Sequence, residues 1–553
     1  MSIKVSFRKS FFRLLTAITV VLCFTPSIKL AFGANVATDT TLTADTTDQQ
    51  VFTAAGKTLT IGNGVTLSKS GNKAVQAQTN STIIVNSGAT INATGNQAIA
   101  AQAKDITIIT NNGTISADGN FAIKISNTTN GIITNNAGGV ITADTNTLYA
   151  AQSSGLTITN SGTISVASLS AYAIDLGNST GATITMKNGG LISGKISTTG
   201  TGNKLIFDHG FGRAYFYATS GDFDLEDLSG NTVVKGSAGS VSLGRQETVD
   251  ELLGLRSYNL RSSLKRYASA SKPADDNMVW GETFGYSSKR GGTDTLLKYD
   301  THGYGMNFIY PVMPKLDLIL SVERNKIEFP EEYVVSRTGF LAGVNVSEFS
   351  GFGKGNWKLG GFAVAGMGWY DSSREILTNT TSSGLLDVTA AYKSLEVMIG
   401  LNINHSYQSP SKGWMKNRWD TEMGLTLQRS HTGDYNERHY FFFEERTLVQ
   451  ESIHLGEQLT STFNDRLDIT LGLEYEFRFA LAGKNQTYRI NGTPTDYTDG
   501  SFSENSGSGN LGLSYRFGWF GLNQGLAYIQ LSSRLSDENR GTYGGSVGLR
   551  LNF

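Results

Sequence analysis

Ahead of residue 278 the chain has a single histidine, His209, in FDHGFG (207–212), and His302, His405, His431, His439 and His454 all lie beyond it. A histidine matters because a serine nucleophile needs a neighbouring base to take its proton. The stretch GSAGS (236–240) has the small residues of a turn that can expose a serine, but no second base accompanies it in sequence. There is no HExxH and no GDS box. Asp222, Asp224, Glu226 and Asp227 carry the oxygens a calcium ion needs, yet their spacing is not that of an ordered calcium loop. No catalytic, cofactor-binding or metal residue is therefore assigned, and an enzyme is not expected.

The clearest arrangement of charge belongs to a helix. QETVDELLGLRSYNLRSSLKRYA (246–268) places acids at its start and Arg256, Arg261, Lys265 and Arg266 further along, which matches the macrodipole. Thr248 and Glu251 read as a capping box. About 20 helical residues extend roughly 30 Å, close to the thickness of a membrane core. SASKPADDN (269–277) reads as a turn.

The remaining elements have to position that helix. Across 553 residues there are 64 glycines but 7 prolines, with 10% aromatics, a mix that favours many short strands joined by glycine turns. Basic and acidic residues number 46 and 47, so nothing favours a nucleic acid as partner. Lys4, Arg8, Lys9 and Arg13 precede an apolar run, Leu14 to Phe24, and small residues follow near Gly33. That is the layout of a secretory signal, residues 1–33. The only cysteine, Cys23, lies within it, so the exported chain is expected to rely on strand pairing and burial without disulfides.

From 34 to 200 the chain has seven lysines and seven aspartates but no arginine, glutamate or proline. Six related turns recur, and their asparagines, Asn63, Asn86, Asn111, Asn135, Asn160 and Asn188, stand 23, 25, 24, 25 and 28 residues apart. Between them runs a second repeated strand, as in KAVQAQ (73–78), QAIAAQ (97–102) and FAIKIS (121–126). A period of this length means stacked copies of one supersecondary unit, here rungs of a parallel β-helix with an Ile/Val/Leu core. The asparagines are expected in the turns, where they tolerate left-handed backbone angles. Residues 201–245 turn aromatic and acidic, as an end-capping rung does.

Beyond Asn277 the pattern changes to long alternating strands. LDITLGLEYEFRF (467–479), WDTEMGLTLQ (419–428) and LEVMIGLNIN (395–404) are examples of about twelve such segments, and GGSVGLRLNF at 544–553 repeats them. Aromatics such as Trp419, Phe477, Phe479, Tyr543 and Phe553 sit near the ends of the apolar faces. Apolar faces with aromatic ends, opposite charged faces, point to a membrane barrel more than to a soluble sandwich. LTNTTSSG (377–384), YQSPSKG (407–413) and the polar run 489–509 read as loops.

In this order, the signal, the repeats (34–200), the end rung (201–245), the helix and turn (246–277) and the barrel (278–553), opening on VWGETFGYSSKRGG and ending on GLRLNF, resemble the classical autotransporters of type V secretion. The resemblance implies an all-β chain: a right-handed parallel β-helix passenger and a 12-stranded antiparallel transmembrane β-barrel with a lumenal α-helix. It implies the outer membrane of a Gram-negative bacterium, with the passenger at the cell surface for adhesion or aggregation. The implied partners are outer-membrane lipid, the Sec export system and the barrel assembly machinery, which would read Phe553 as its signal. Others are a host glycan, matrix or a second copy of the chain. Arg256, Arg261, Lys265 and Arg266 are then expected to face inward acids such as Glu282, Asp420, Glu422, Glu474 and Glu476. In self-cleaving members a paired asparagine lies in this helix. Here Asn259 stands between Tyr258 and Leu260 without a second asparagine, so a tethered passenger is expected. The alternatives are an outer-membrane pore with a structural surface domain, or a hydrolase passenger.

Overall fold

The structure is a computed structural model that describes residues 33–553 except 235–236, 242–243, 270–277, 294–296, 331–332, 353–356, 411–413, 438–439, 491, 499–502, 520–521 and 553. The expected signal, apart from Gly33, and Phe553 therefore lie outside the described residues. The chain separates into two compact units: residues up to Ile184 with Ser197–Asn203, and Thr185–Ile196 with Lys204–Phe553.

The first unit is a parallel β-solenoid. Most rungs give one short strand to each of three sheets, for example Ile99–Gln102, Ile108–Asn111 and Thr114–Asp118. Stacking is in register, so like residues repeat up the core. Leu59, Ile83, Ile109, Ile133 and Ile158 form one such column, and Leu67, Ile91, Ile115, Ile141 and Ile164 form another, all without solvent exposure.

The six repeat asparagines divide into two kinds, and none of them takes a positive φ. Asn111, Asn135 and Asn160 end their strands inside the solenoid, fully buried. Asn111 Nδ2 donates to Asn135 Oδ1 at 2.8 Å, and Asn135 Nδ2 donates to Asn160 Oδ1 at 2.9 Å. Asn63, Asn86 and Asn188 are outside this ladder and more exposed. The near-constant spacing conceals a one-residue offset, because Val85, not Asn86, is the register partner of Asn111. A buried amide lasts only where its hydrogen bonds are made, and the rung above and the rung below supply them. The left-handed positions expected of the asparagines are taken instead by glycines such as Gly64, Gly88 and Gly138.

In the second unit twelve antiparallel strands close into a barrel. In chain order they are Met278–Arg290, Tyr299–Met313, Leu316–Glu328, Val334–Phe352, Trp357–Thr378, Leu385–Gln408, Met415–Thr432, Arg446–Phe463, Leu467–Ala482, Ser503–Trp519, Leu522–Ser536 and Arg540–Asn552. The first pairs with the twelfth from Met278↔Asn552 to Arg290↔Arg540, which closes the ring. Strands are joined by tight turns at one rim, 314–315 and 464–466, and by longer segments such as 433–445 and 483–502 at the other.

Alternation sends apolar side chains outward and polar ones inward. Leu471, Leu473 and Tyr475 are exposed while Glu476 and Arg478 are buried. In the last strand Tyr543, Val547 and Leu549 are exposed while Thr542, Ser546 and Arg550 are buried. The exterior carries aromatics at two levels, with Tyr310, Tyr407, Trp414, Trp419 and Tyr515 toward the tight turns and Trp369, Tyr475 and Tyr543 toward the other rim. From Leu467, the partner of Tyr515, to Tyr475 is eight residues, about 27 Å along a strand and roughly 20 Å in height at a typical barrel tilt.

Within the run 489–509, expected as a loop, most of the described residues are strand. Asn485–Ile490 and Thr493–Thr498 form a hairpin, and Ser503 onward pairs with the ninth strand, Phe479↔Ser503 to Leu473↔Gly509. Its outward positions are Asn505, Gly507 and Gly509, so the apolar signal that marks the other strands is missing even though the pairing is complete. The expected end rung contributes Tyr215–Tyr217, which pairs with Ala238–Ser240 and with Leu377 and Thr378 of the fifth barrel strand.

Candidate functional site: a helix held in the barrel lumen

Helix α1 runs from Gly244 to Ser269. It begins four residues before Thr248, so Thr248 stands inside the first turns and the expected capping box does not mark the start.

Inside the barrel its charges meet opposite charges on the wall, level by level. Near the long-loop rim Asp250 pairs with Arg446 at 3.2 Å and Glu251 with Arg540 at 2.8 Å. Arg540 also holds Glu504 at 2.8 Å, and Arg478 shares Glu504 as well. Further down, Arg256 lies 3.5 Å from Glu396, which Arg337 grips at 2.6 Å. Arg261 bridges Glu474 at 3.2 Å and Glu476 at 2.8 Å, and Arg534 reaches Glu476 at 2.8 Å from the wall. Lys265 and His454 share Glu422, each at 3.4 Å. Arg266 and Tyr528 both bind Glu282, which also accepts from Ser263 Oγ at 3.0 Å. Toward the tight-turn rim, Tyr267 Oη donates to Asp317 at 2.7 Å, and Arg418 donates to the Ser269 carbonyl at 3.1 Å.

These partners come from strands one, three, six, seven, eight, nine and twelve, so the wall surrounds the helix. The arrangement is directional. Wall arginines face the acidic start of α1 and wall glutamates face its basic half, so a reversed helix would set acid against acid. Apolar contacts complete the fit, with Leu253, Leu260, Leu264 and Tyr267 packed among Trp280, Ile309, Ile319, Leu341 and Met398. Two glycines make the close approach possible. A β-carbon at Gly254 would overlap the Arg478 guanidinium, and one at Gly339 would overlap that of Arg256.

Of the acids named from sequence, Glu282, Glu422, Glu474 and Glu476 lie against α1, whereas Asp420 pairs with Arg418 at 2.9 Å. The sequence reading named neither Glu396, Glu504 nor Asp250, and gave Glu251 only a place in a capping box. Glu396 was visible as an inward position of LEVMIGLNIN, while Glu504 sat in the run taken for a loop. Asn259 is enclosed in the lumen, and its buried Nδ2 has no hydrogen-bond partner among the described residues.

The residues considered for catalysis or metal binding occupy other places in the second unit. His209 is fully buried, its Nε2 shares a hydrogen bond with Tyr217 Oη at 3.1 Å, and its ring is flanked by Phe207 and Tyr215. Ser240 Oγ donates to the Thr232 carbonyl at 2.7 Å, so its proton is committed there. Asp224 and Glu226 are exposed on one face of a strand, whereas Asp227 accepts from Tyr215 Oη at 2.8 Å and from the Ser229 amide at 2.8 Å.

Burial lowers the His209 pKa from 6.5 to about 4. A lowered histidine pKa means that the unfolded chain takes up a proton first as pH falls, so the histidine's contribution is complete above 6.5 and is lost between 6.5 and about 4. The shift corresponds to roughly 3 kcal/mol. The packing of residues 204–241 is expected to loosen over that window, followed by near-ultraviolet tyrosine dichroism, and His209→Gln, which cannot titrate, is expected to flatten the pH dependence. An unchanged profile in that variant would assign the transition to another group.

Together these features define a closed twelve-stranded barrel plugged along its axis by its own helix, in a chain that also carries a β-solenoid. Among solved structures the chain is similar to the translocator domain of the autotransporter NalP from Neisseria meningitidis, with 12% identity over 56% of this chain and 98% of that one and a TM-score of 0.42. It is also similar to the transport unit of the autotransporter AIDA-I from Escherichia coli, with 11% identity over 53% and 98% and a TM-score of 0.34. The β domain of the Bordetella autotransporter BrkA gives 13% identity over 50% and 100% and a TM-score of 0.35. No protein-family model matches the chain. No curated protein matches it.

Proposed function

We propose that this chain is an outer-membrane autotransporter. The barrel sits in the outer membrane, the chain passes through its lumen as α1, and the repeats ahead of the helix are displayed at the cell surface as an adhesive or aggregating passenger. The path of α1 carries the proposal. Its acidic start lies toward the long-loop rim and its end toward the tight-turn rim, where the first wall strand begins at Met278. The polypeptide thus crosses the lumen once before it forms the wall, and the segment ahead of α1 that pairs Tyr215 and Phe216 with Leu377 and Thr378 lies at the long-loop rim. The exterior supports a lipid setting, because an apolar belt roughly 20 Å high between aromatic girdles suits the hydrocarbon layer. The closed ring leaves no unpaired strand edge to face lipid. Insertion by an assembly machinery that reads Phe553, and a passenger that stays tethered through uncleaved Asn259–Leu260, belong to the same proposal.

Protease added to intact cells tests it. Loss of residues 34–241 with protection of 278–553 is expected, with less of both at the surface when Phe553 is deleted. Protection of both parts would overturn the proposal.

A further inference from the structure

Between residues 34 and 200 the sequence holds four aromatic residues, Phe52, Phe121, Tyr149 and Tyr172, on a unit rich in threonine, serine and asparagine. Phe52 is buried in the core. The other three are half-buried: Tyr149 and Tyr172 lie on the sheet that contains Ile123–Ser126, Asn146–Tyr149 and Tyr172–Asp175, and Phe121 stands two residues before the first of these strands. The core does not require these rings, since Ala122, Ile123, Leu148, Ala173 and Ile174 already fill it.

Phe121 and Tyr149 form one platform. The rings of Phe121 and Tyr149 stack at 4.8 Å and 27°, and Lys124 Nζ lies 5.5 Å from both centroids. Lys124, Tyr149 and Asp175 are register partners in three successive strands, so they stand one above another at the strand spacing of about 4.8 Å. Tyr172 is the partner of Asn146, whose Oδ1 accepts from the Tyr172 amide at 3.1 Å.

We propose that this face binds a neutral hexose oligosaccharide lying along the stack. An aromatic plane offers the C–H face of a pyranose a surface to rest on, while an ammonium and a carboxylate beside it can serve hydroxyl groups. Lys124 and Asp175 cancel in charge, which favours a neutral ligand over an acidic one. A platform of two rings is too small for a protein partner, which needs about 800 Å² per side. It is also too open for an apolar small molecule, which needs an enclosing pocket. Successive rungs repeat at a spacing comparable to one sugar ring, so neighbouring rings of a chain can meet neighbouring rungs. This names a ligand class for the proposed passenger and rests on that proposal only for its biological setting.

The test uses the purified full-length chain in detergent, titrated with cellohexaose, maltohexaose and a heparin hexasaccharide and read by calorimetry and saturation-transfer NMR. At least one neutral hexaose is expected to bind saturably. Tyr149→Ala and Phe121→Ala are expected to weaken it at least tenfold, while Tyr149→Phe and, on a different sheet, Thr157→Ala stay within threefold. Unchanged strand dichroism in each variant separates loss of binding from loss of fold. Binding of neither neutral sugar, binding of heparin alone, or self-association that Tyr149→Ala abolishes without any effect of sugar would overturn the inference. If sugar binds while protease on cells leaves the repeats intact, this inference stands and the proposed display falls.

Discussion

Deleting residues 250–268 from the full chain is expected to raise its single-channel conductance in planar bilayers at least tenfold. An α-helix with its side chains is about 10–12 Å across, so its removal leaves a column of that width for water and ions. The barrel is expected to survive, because several wall charges are paired among themselves: Arg337 with Glu396, Arg534 with Glu476, and Arg478 and Arg540 with Glu504. The lost partners, chiefly for Glu282, Glu422 and Arg446, would be replaced by water. A deletion that closes the ring normally yet conducts no better than the intact chain would mean that α1 is not what blocks the lumen.

Glu396→Leu is expected to be the most damaging single substitution in the wall. Its carboxylate serves Arg337 and Arg256, and all three side chains are about 1% exposed. Removing it leaves two buried guanidinium groups with only Glu323 as a neighbouring carboxylate, a loss of about 3–5 kcal/mol when one partner of a buried pair is taken away. Glu348 provides the comparison. It pairs with Lys315 and Lys358, both more than half exposed, and Glu348→Gln is expected to cost under about 1 kcal/mol. Denaturant midpoints of tryptophan fluorescence in micelles would report both. Adding Arg256→Met and Arg337→Met to Glu396→Leu is expected to recover much of the loss, since apolar groups of similar size need no partner. Equal midpoints for Glu396→Leu and Glu348→Gln would remove Glu396 from the centre of the socket.

What could be read in the sequence was whatever repeats with a fixed period. Alternation in 467–479 and 395–404 separates the two faces of a strand, and the recurring Ile/Val/Leu positions of 59–164 give the solenoid core. The charge order of 246–268 likewise showed an element in need of opposite charges. What was lost depended on neighbours distant in sequence. Ser503–Gly509 looks like a loop until Leu473–Phe479 lies beside it, and Glu504 went unnoticed with it. The asparagine spacing is equally blind to register, so residues buried in a hydrogen-bonded ladder and residues in exposed turns appeared to be one set. Glu396 is a different case, since its inward position was legible but its two arginine partners come from another strand and from α1.

The central claim is that the repeats are carried outward through the long-loop side of an inserted barrel, and thiol labelling of intact cells addresses it most directly. The only natural cysteine is Cys23, so Cys23→Ser leaves a background without thiols. Into it are placed, separately, Thr157→Cys on the exposed surface of the solenoid and Asp465→Cys in a tight turn of the barrel. A membrane-impermeant maleimide is expected to label Thr157→Cys on intact cells and Asp465→Cys only after the outer membrane is permeabilised. Labelling of Asp465→Cys on intact cells with Thr157→Cys protected would contradict the account.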